Sequence, residues 1–277
     1  NFQGANIQFA RGLLTSISLY GKTDGIIAVS EEIKRDLINS YGLNEDKIIV
    51  IYNSYPIEEI RELCAEELDN EYVDIFRSPV IITAGRLNKQ KGHWHLIRSF
   101  SKVKKQVPDA KLVFLGEGEL YEYLVKLSKE LGIQEDVHFL GFQINPFKFI
   151  ARSSIFIMSS LYEGFPNALA EAQACGVPVI SSDCLSGPRE ILAPNEFRMR
   201  KIDYGINIKR YGILTPVCDG KRYAADDELT EEELIMADHM ITLLRDEELA
   251  VHFRKQSLKR IEDFHIKNII KRWESII

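Results

Sequence analysis

The sequence predicts an α/β fold, a doubly wound parallel sheet with helices on both faces. Three observations point to it. Strand patterns alternate with helix patterns from about Gly25 onward. The strands are almost continuously apolar, as in Pro79-Val-Ile-Ile-Thr83 and Ser154-Ile-Phe-Ile-Met158, which fits strands covered on both sides. Polar loops follow strands directly at Gly85–Gly92, Gly116–Glu119 and Tyr162–Asn167, and in such sheets ligands bind beyond the strands' carboxyl ends.

The elements follow in order. Gly25-Ile-Ile-Ala-Val-Ser30 reads as a strand whose final Ser caps a helix over Glu31–Tyr41. Lys47–Tyr52 is the next strand, and the acidic, amphipathic stretch Ile57–Leu68 a helix. After the strand Pro79–Thr83, the spacing of Trp94, Ile97, Phe100 and Val103 gives an apolar stripe and predicts a helix from His93 to Gln106. Strands at Lys111–Leu115, Val137–Leu140, Ser154–Met158, Val177–Ser181 and Tyr211–Thr215 are expected. Helices are expected at Leu120–Leu131, Pro146–Ala151, Asn167–Cys175, Gly187–Leu192, Thr230–Leu244, Glu247–Phe264 and Ile266–Ile277.

Bulk properties narrow the function. The 277 residues are 45% hydrophobic and 27% charged, ordinary for a globular chain. A net charge of −6 argues against nucleic acid as a partner, because phosphate-backbone binding needs a basic face. No apolar run approaches the ~18 residues of a membrane span. Cys64, Cys175, Cys184 and Cys218 form no C-x-x-C pair and are expected as free, buried thiols. His93 and His95 cannot share a helix face, and no Asp-x-Asp motif is present, so no metal site is expected. Gly116-x-Gly118 imitates the start of a dinucleotide fingerprint, but Tyr121 stands where the third Gly belongs, which sets NAD aside.

The chemistry concentrates in Leu161-Tyr-Glu-Gly-Phe-Pro-Asn-Ala-Leu-Ala-Glu171. It lies between a buried strand and a helix opened by Pro166 or Asn167. Free N–H groups of a first helical turn can bind phosphate, aided by the helix dipole. Glu163 precedes those amides and Glu171 lies just over a turn inside, so two carboxylates flank an anion site and can accept from sugar hydroxyls. Upstream, Arg86 and Lys91 share a polar loop after a strand. As the planar fork of Arg and the point charge of Lys, they suit a diphosphate; otherwise they are solvated surface cations. Gly116 would allow a nucleotide to approach closely.

Glu163-x7-Glu171 resembles the E-x7-E motif of retaining glycosyltransferases of the GT-B fold, family 4 in particular. Thr83–Gly92, and Val137–Phe142 with Asn145-Pro146, match the same family in the same order. Ser186-Gly-Pro-Arg-Glu-Ile-Leu192 resembles members that build bacterial surface glycans on lipid carriers. The resemblance implies a Rossmann-like donor domain at 57–265. It also implies the end of an acceptor domain at 1–56 and a last helix, 266–277, packed toward that domain. Most of the acceptor domain would then be missing, so this chain by itself is expected to bind donor but transfer sugar poorly.

By the same resemblance, Glu171 would bind the ribose of a UDP-sugar and Glu163 the donor sugar. Arg86 and Lys91 would stabilise the leaving diphosphate, and Gly141, Phe142 and Gln143 would meet the base. Backbone N–H groups of Phe165, Asn167 and Ala168 would contact phosphate or sugar, and Leu169 would pack on the ribose. Gly85, Gly164 and Pro166 complete the expected lining. The implied reaction moves a hexose or N-acetylhexosamine to a lipid-linked or surface glycan, without cofactor or metal. The expected setting is the cytoplasm at the inner face of the cell membrane, with peripheral membrane contact through the missing domain. A nucleotide-sugar 2-epimerase of the same fold, or a non-catalytic nucleotide-sugar-binding subunit, are the alternatives.

Overall fold

The structure, a computed structural model, describes residues 23–276. Residues 1–22 of the expected 1–56 segment, and Ile277 of the expected last helix, lie outside the described residues. A two-stranded parallel sheet comes first, β1 (Ile26–Ala28) and β2 (Ile48–Val50), bridged by α1 (Glu31–Tyr41). Ser30 Oγ accepts from Ile33 N–H at 3.1 Å and so fixes the start of α1. Ala28, Ile48 and Val50 form a small apolar cluster of their own.

The main sheet has six parallel strands: β3 (Val80–Ala84), β4 (Lys111–Leu115), β5 (Val137–Phe139), β6 (Ile155–Met158), β7 (Val179–Ser182) and β8 (Ile213–Thr215). Their spatial order is β5-β4-β3-β6-β7-β8. The chain starts in the middle, builds outward to β5, then returns to build the other half from β6. The order therefore reverses between β3 and β6, so the chain builds toward one edge of the sheet after β3 and toward the other after β6, the place where such sheets bind ligands.

Successive strand side chains alternate between two cores. Ile81, Leu112, Phe114, Ile155, Ile157 and Ile180 face one side. Val80, Ile82, Val113, Phe156, Met158 and Val179 face the other. This two-sided burial is why the strands read as unbroken apolar runs. The first core is covered by α4 (His93–Gln106), α5 (Tyr121–Glu130) and α9 (Glu231–Arg245). The second is covered by α2 (Ile57–Cys64), α7 (Asn167–Ala174) and α8 (Pro188–Leu192), with the end of α10 (Glu247–Ile261). Short helices α3 (Asn70–Val73) and α6 (Phe147–Ile150), and the terminal α11 (Ile266–Glu274), complete the fold. No helix among the described residues is long and apolar enough to cross a membrane.

The segment between the sheets is tied back by the C-terminal region. Tyr55 N donates to Phe264 O, and Ile266 N to Tyr55 O, both at 3.0 Å. Helix α11 packs through Ile269, while Ile270 and Trp273 stay partly exposed.

Some expectations shift. The helix expected over Ile57–Leu68 stops at Cys64, and α10 gives way to a 3-10 turn at Glu262–Phe264. The short α3 lies in a stretch with no apolar periodicity and was not expected.

One buried polar network holds α4 to α9. Glu233, fully buried, accepts from Arg98 Nε at 3.0 Å and contacts His95 Nδ1 at 2.7 Å. It also forms the capping box of α9 with Thr230. Glu233→Ala would strand the Arg98 charge inside the protein, so we expect a loss of about 3–5 kcal/mol. Equilibrium urea unfolding checks it.

Candidate functional site

The loops after β3, β4 and β5 meet where they leave their strands. Gly85 N donates to Leu115 O at 2.9 Å and Gly116 N to Gly141 O at 2.7 Å. Gly85 and Gly116 have φ of +153° and +135°, which side-chain-bearing residues rarely adopt. A Cβ on Gly116 would lie 2.2 Å from Gly85 O. The close approach that Gly116 permits is therefore to the β3 loop, not directly to a ligand. Phe142, at the end of this row, is 72% exposed and offers its ring to solvent.

The loop after β6 closes against the loop after β3. Leu161 N donates to Gln90 O at 2.8 Å, and Ser159 Oγ to Lys91 O at 2.9 Å. This brings Lys91 and Glu163 together, Nζ to Oε1 at 2.6 Å. Glu163 also accepts from Ser160 Oγ at 2.7 Å and from Gln90 Nε2 at 3.3 Å. Its carboxylate is mostly buried, so these charge-assisted bonds are held away from bulk water. An ammonium has three donors, so Lys91 keeps N–H bonds for another acceptor after binding Glu163. Its stem runs beside Gly85, where a Cβ would lie 3.0 Å from Lys91 Cε. Arg86 projects from the same loop, exposed, and its guanidinium makes no hydrogen bond or ion pair among the described residues.

His93 opens α4 just after Lys91. Burial, and then the Lys91 charge, bring its pKa down to about 3, so the ring is neutral. It packs edge-on against Phe114 and is buried. Cys184 lies buried behind Glu163. Burial, and next the Glu163 charge, push its thiol up to about 12, so it is no nucleophile.

Helix α7 begins after Pro166, beyond Glu163. The N–H groups of Phe165, Asn167 and Ala168 have no partner among the described residues. Glu171 lies one turn further, facing a cavity of about 430 Å³ that Asn53, Tyr55, Phe147 and Asn167 also line. Burial raises its carboxyl above the ordinary glutamate value. Tyr55 OH and Asn53 Nδ2 donate to Asn167 Oδ1 at 2.8 and 2.7 Å, linking the segment between the sheets to the first turn of α7.

Two expected donor contacts, those of Leu169 and Pro166, change. Leu169 is fully buried in the second core, so its side chain has no surface to offer a ribose. Phe165 turns its ring inward onto Tyr52 and Phe264, while its backbone N–H stays unpartnered among the described residues. Pro166 is buried against Gly187, where a Cβ would lie 2.4 Å from its Cδ. Gly164 sits under Ile33 of α1.

Sequence reasoning missed Gln90, Ser160, Asn53 and Tyr55. Only Ser160 carried a local signal, as a hydroxyl at the end of a strand, three residues before Glu163. It also missed Glu190. That buried carboxylate accepts from the N–H groups of Glu31 and Glu32 at 2.9 and 3.0 Å and from Tyr52 OH at 3.0 Å. Among the described residues no group of three or more His, Cys, Asp or Glu could hold a metal ion.

This strand order, with the cationic loop of β3 against the carboxylate loop of β6, defines a Rossmann-like α/β protein with its candidate site at the switch point. Residues 67–203 match the family described as Glycosyl transferases group 1, and residues 3–59 the family described as Glycosyltransferase Family 4. The chain carries these two domains in the GT-B fold class. It is 42% identical over 262 residues to an uncharacterized glycosyltransferase of Methanocaldococcus jannaschii, covering 93% of this chain and 64% of that protein.

A second relative is the N-acetylgalactosamine-N,N'-diacetylbacillosaminyl-diphospho-undecaprenol 4-alpha-N-acetylgalactosaminyltransferase of Campylobacter jejuni. It is 37% identical over 179 residues, covering 65% of this chain and 47% of that one. The chain thus spans about half to two thirds of these relatives' length. The crystal structure of Anabaena HepE with UDP and glucose superposes with a TM-score of 0.75 at 19% identity, over 95% of this chain and 66% of that one, a likeness of fold.

The buried Glu171 carboxyl generates a pH-dependent prediction. Its raised carboxyl binds a proton more readily in the fold than in the unfolded chain. Ionised Glu171 therefore costs stability above its folded pKa, and the cost vanishes below the unfolded value. Glu171→Gln should raise the thermal midpoint at pH 7 and leave it unchanged near pH 3. Scanning calorimetry at the two pH values checks it.

Proposed function

We propose that the protein is a retaining glycosyltransferase that moves a hexose or N-acetylhexosamine from a UDP-sugar to a lipid-linked or surface glycan. The observation that carries this reading is the Lys91–Glu163 pair, with unpaired Arg86 beside it, at the switch point of a glycosyl transferases group 1 domain. In this reading residues 57–265 form the donor domain, and residues 1–56 and 266–277 belong with the acceptor side.

The diphosphate of the donor lies over the β3 loop. Arg86 and the free N–H bonds of Lys91 take up the negative charge that grows as the bond from the sugar's anomeric carbon to phosphate oxygen breaks. The electron pair leaves with UDP. The acceptor hydroxyl adds on the face that the diphosphate vacates and passes its proton to the departing phosphate oxygen, which retains configuration. Glu163 accepts from a sugar hydroxyl and, by binding Lys91, keeps the ammonium at the crevice. The unpartnered amides at the start of α7 bind phosphate or sugar oxygens, and Glu171 binds the ribose. Exposed Phe142, with Gly141 and Gln143, meets the base. These cationic and backbone groups do the work of a counter-ion, so binding is metal-independent.

Titration calorimetry with UDP, GDP and ADP, with and without EDTA, tests the donor class. Selective, chelator-insensitive UDP binding is expected; preference for GDP or ADP, or loss with EDTA, would contradict it. Glu163→Ala should weaken UDP-sugar more than UDP, by at least ~10-fold for a charged hydrogen bond. Equal losses would remove Glu163 from the sugar. Turnover of UDP-GlcNAc without any acceptor would favour the epimerase instead.

A further inference from the structure

A second cavity, of about 290 Å³, lies between α1 and the segment 183–200, across the β7 loop from Glu163. Arg35, Arg189, Arg198 and Arg200 reach it, in a protein whose net charge is −6. Its three carboxylates are already engaged. Glu32 pairs with Arg35 at 2.9 Å, Asp183 pairs with Arg189, and Glu190 is bound by the amides of α1. Arg198 and Arg200 are exposed and make no hydrogen bond or ion pair among the described residues. Arg35 Nη2 is buried with no partner. A buried, unsatisfied donor in a native fold calls for an acceptor, and here it lies on the wall of a cationic cavity.

Apolar surface adjoins these charges. Phe197 lies beneath two guanidinium groups, those of Arg35 at 5.3 Å and Arg198 at 5.2 Å. Leu185 and Met199, also at the cavity, are 76% and 52% exposed. The backbone connects the cavity to the reacting region, since Glu163 N donates to Leu185 O at 3.3 Å. Ser186, next along, is held at φ +70°, which only the surrounding loop can enforce on a residue with a side chain.

We propose that this cavity binds the diphosphate of an amphiphilic acceptor, with Arg35, Arg198 and Arg200 on the phosphates and Leu185, Met199 and Phe197 against the first part of its apolar chain. The role as acceptor site rests on the glycosyltransfer reading; the anion site does not. A diphosphate there would bring the sugar attached to it toward Glu163 from the side opposite the Arg86–Lys91 loop.

The probes are inorganic pyrophosphate and farnesyl diphosphate, titrated below its micelle concentration into the full chain. UDP is present in excess to occupy the donor site. Farnesyl diphosphate should bind at least about tenfold tighter than pyrophosphate. Both should weaken at least about tenfold in Arg198→Ala/Arg200→Ala, through loss of charge-assisted hydrogen bonds. Lys209→Ala, which removes an exposed cation elsewhere, should bind like the parent, and UDP affinity should stay unchanged in Lys209→Ala and in Arg198→Ala/Arg200→Ala.

Equal affinity for the two probes would make the ligand a free phosphate anion and overturn the amphiphile assignment. Unchanged affinity in the double variant, or no binding of either probe, would overturn the site. If UDP itself does not bind, the donor reading fails, and the anion site is still judged by comparing Arg198→Ala/Arg200→Ala with Arg86→Ala.

Discussion

The arrangement depends on the reversal of strand order between β3 and β6. Two parallel neighbours whose chains depart to opposite sides bring the starts of two different loops face to face at their carboxyl ends. The Lys91–Glu163 pair joins those two loops. It orients both side chains at once, and the hydrogen bonds from Ser160 and Gln90 leave Glu163 little freedom. A surface ion pair of this kind would contribute little. Here both groups are largely withdrawn from water, so geometry and charge reinforce each other.

A second dependence runs between the two sheets. Helix α1 belongs to the first sheet, yet its opening amides are bound by Glu190 of α8. Tyr52, Phe165 and Phe264 pack in tilted and edge-to-face contacts where the connecting segment crosses the second core. Asn53 and Tyr55 grip the first residue of α7. The turn that presents the α7 amides is therefore positioned by residues more than a hundred positions away. Motion of the first sheet relative to the second would pull directly on that turn.

Burying Glu171 works against stability. Desolvation disfavours its ionised form. A fold selected for stability alone would not keep a carboxylate without a side-chain partner beside Tyr55. Strain and unsatisfied charge of this sort concentrate where a protein meets its ligand.

Much of this protein was legible in its sequence. The helices Glu31–Tyr41 and His93–Gln106 appear with the expected bounds, because capping Ser30 and the apolar stripe of Trp94, Ile97, Phe100 and Val103 are local signals. The parallel sheet was legible because burial on both faces leaves an unbroken apolar strand. The motif carried the two glutamates and the cationic loop, and the family match covers the same stretch.

What the sequence could not decide was direction. That Leu169 faces the core and not a ligand follows from packing onto the second core. Lys91 meets Glu163 across 72 residues, and Glu190 meets Glu31 across 159. Local periodicity encodes which face of an element is apolar; which charges then share a pocket is set only when the sheet brings distant loops together.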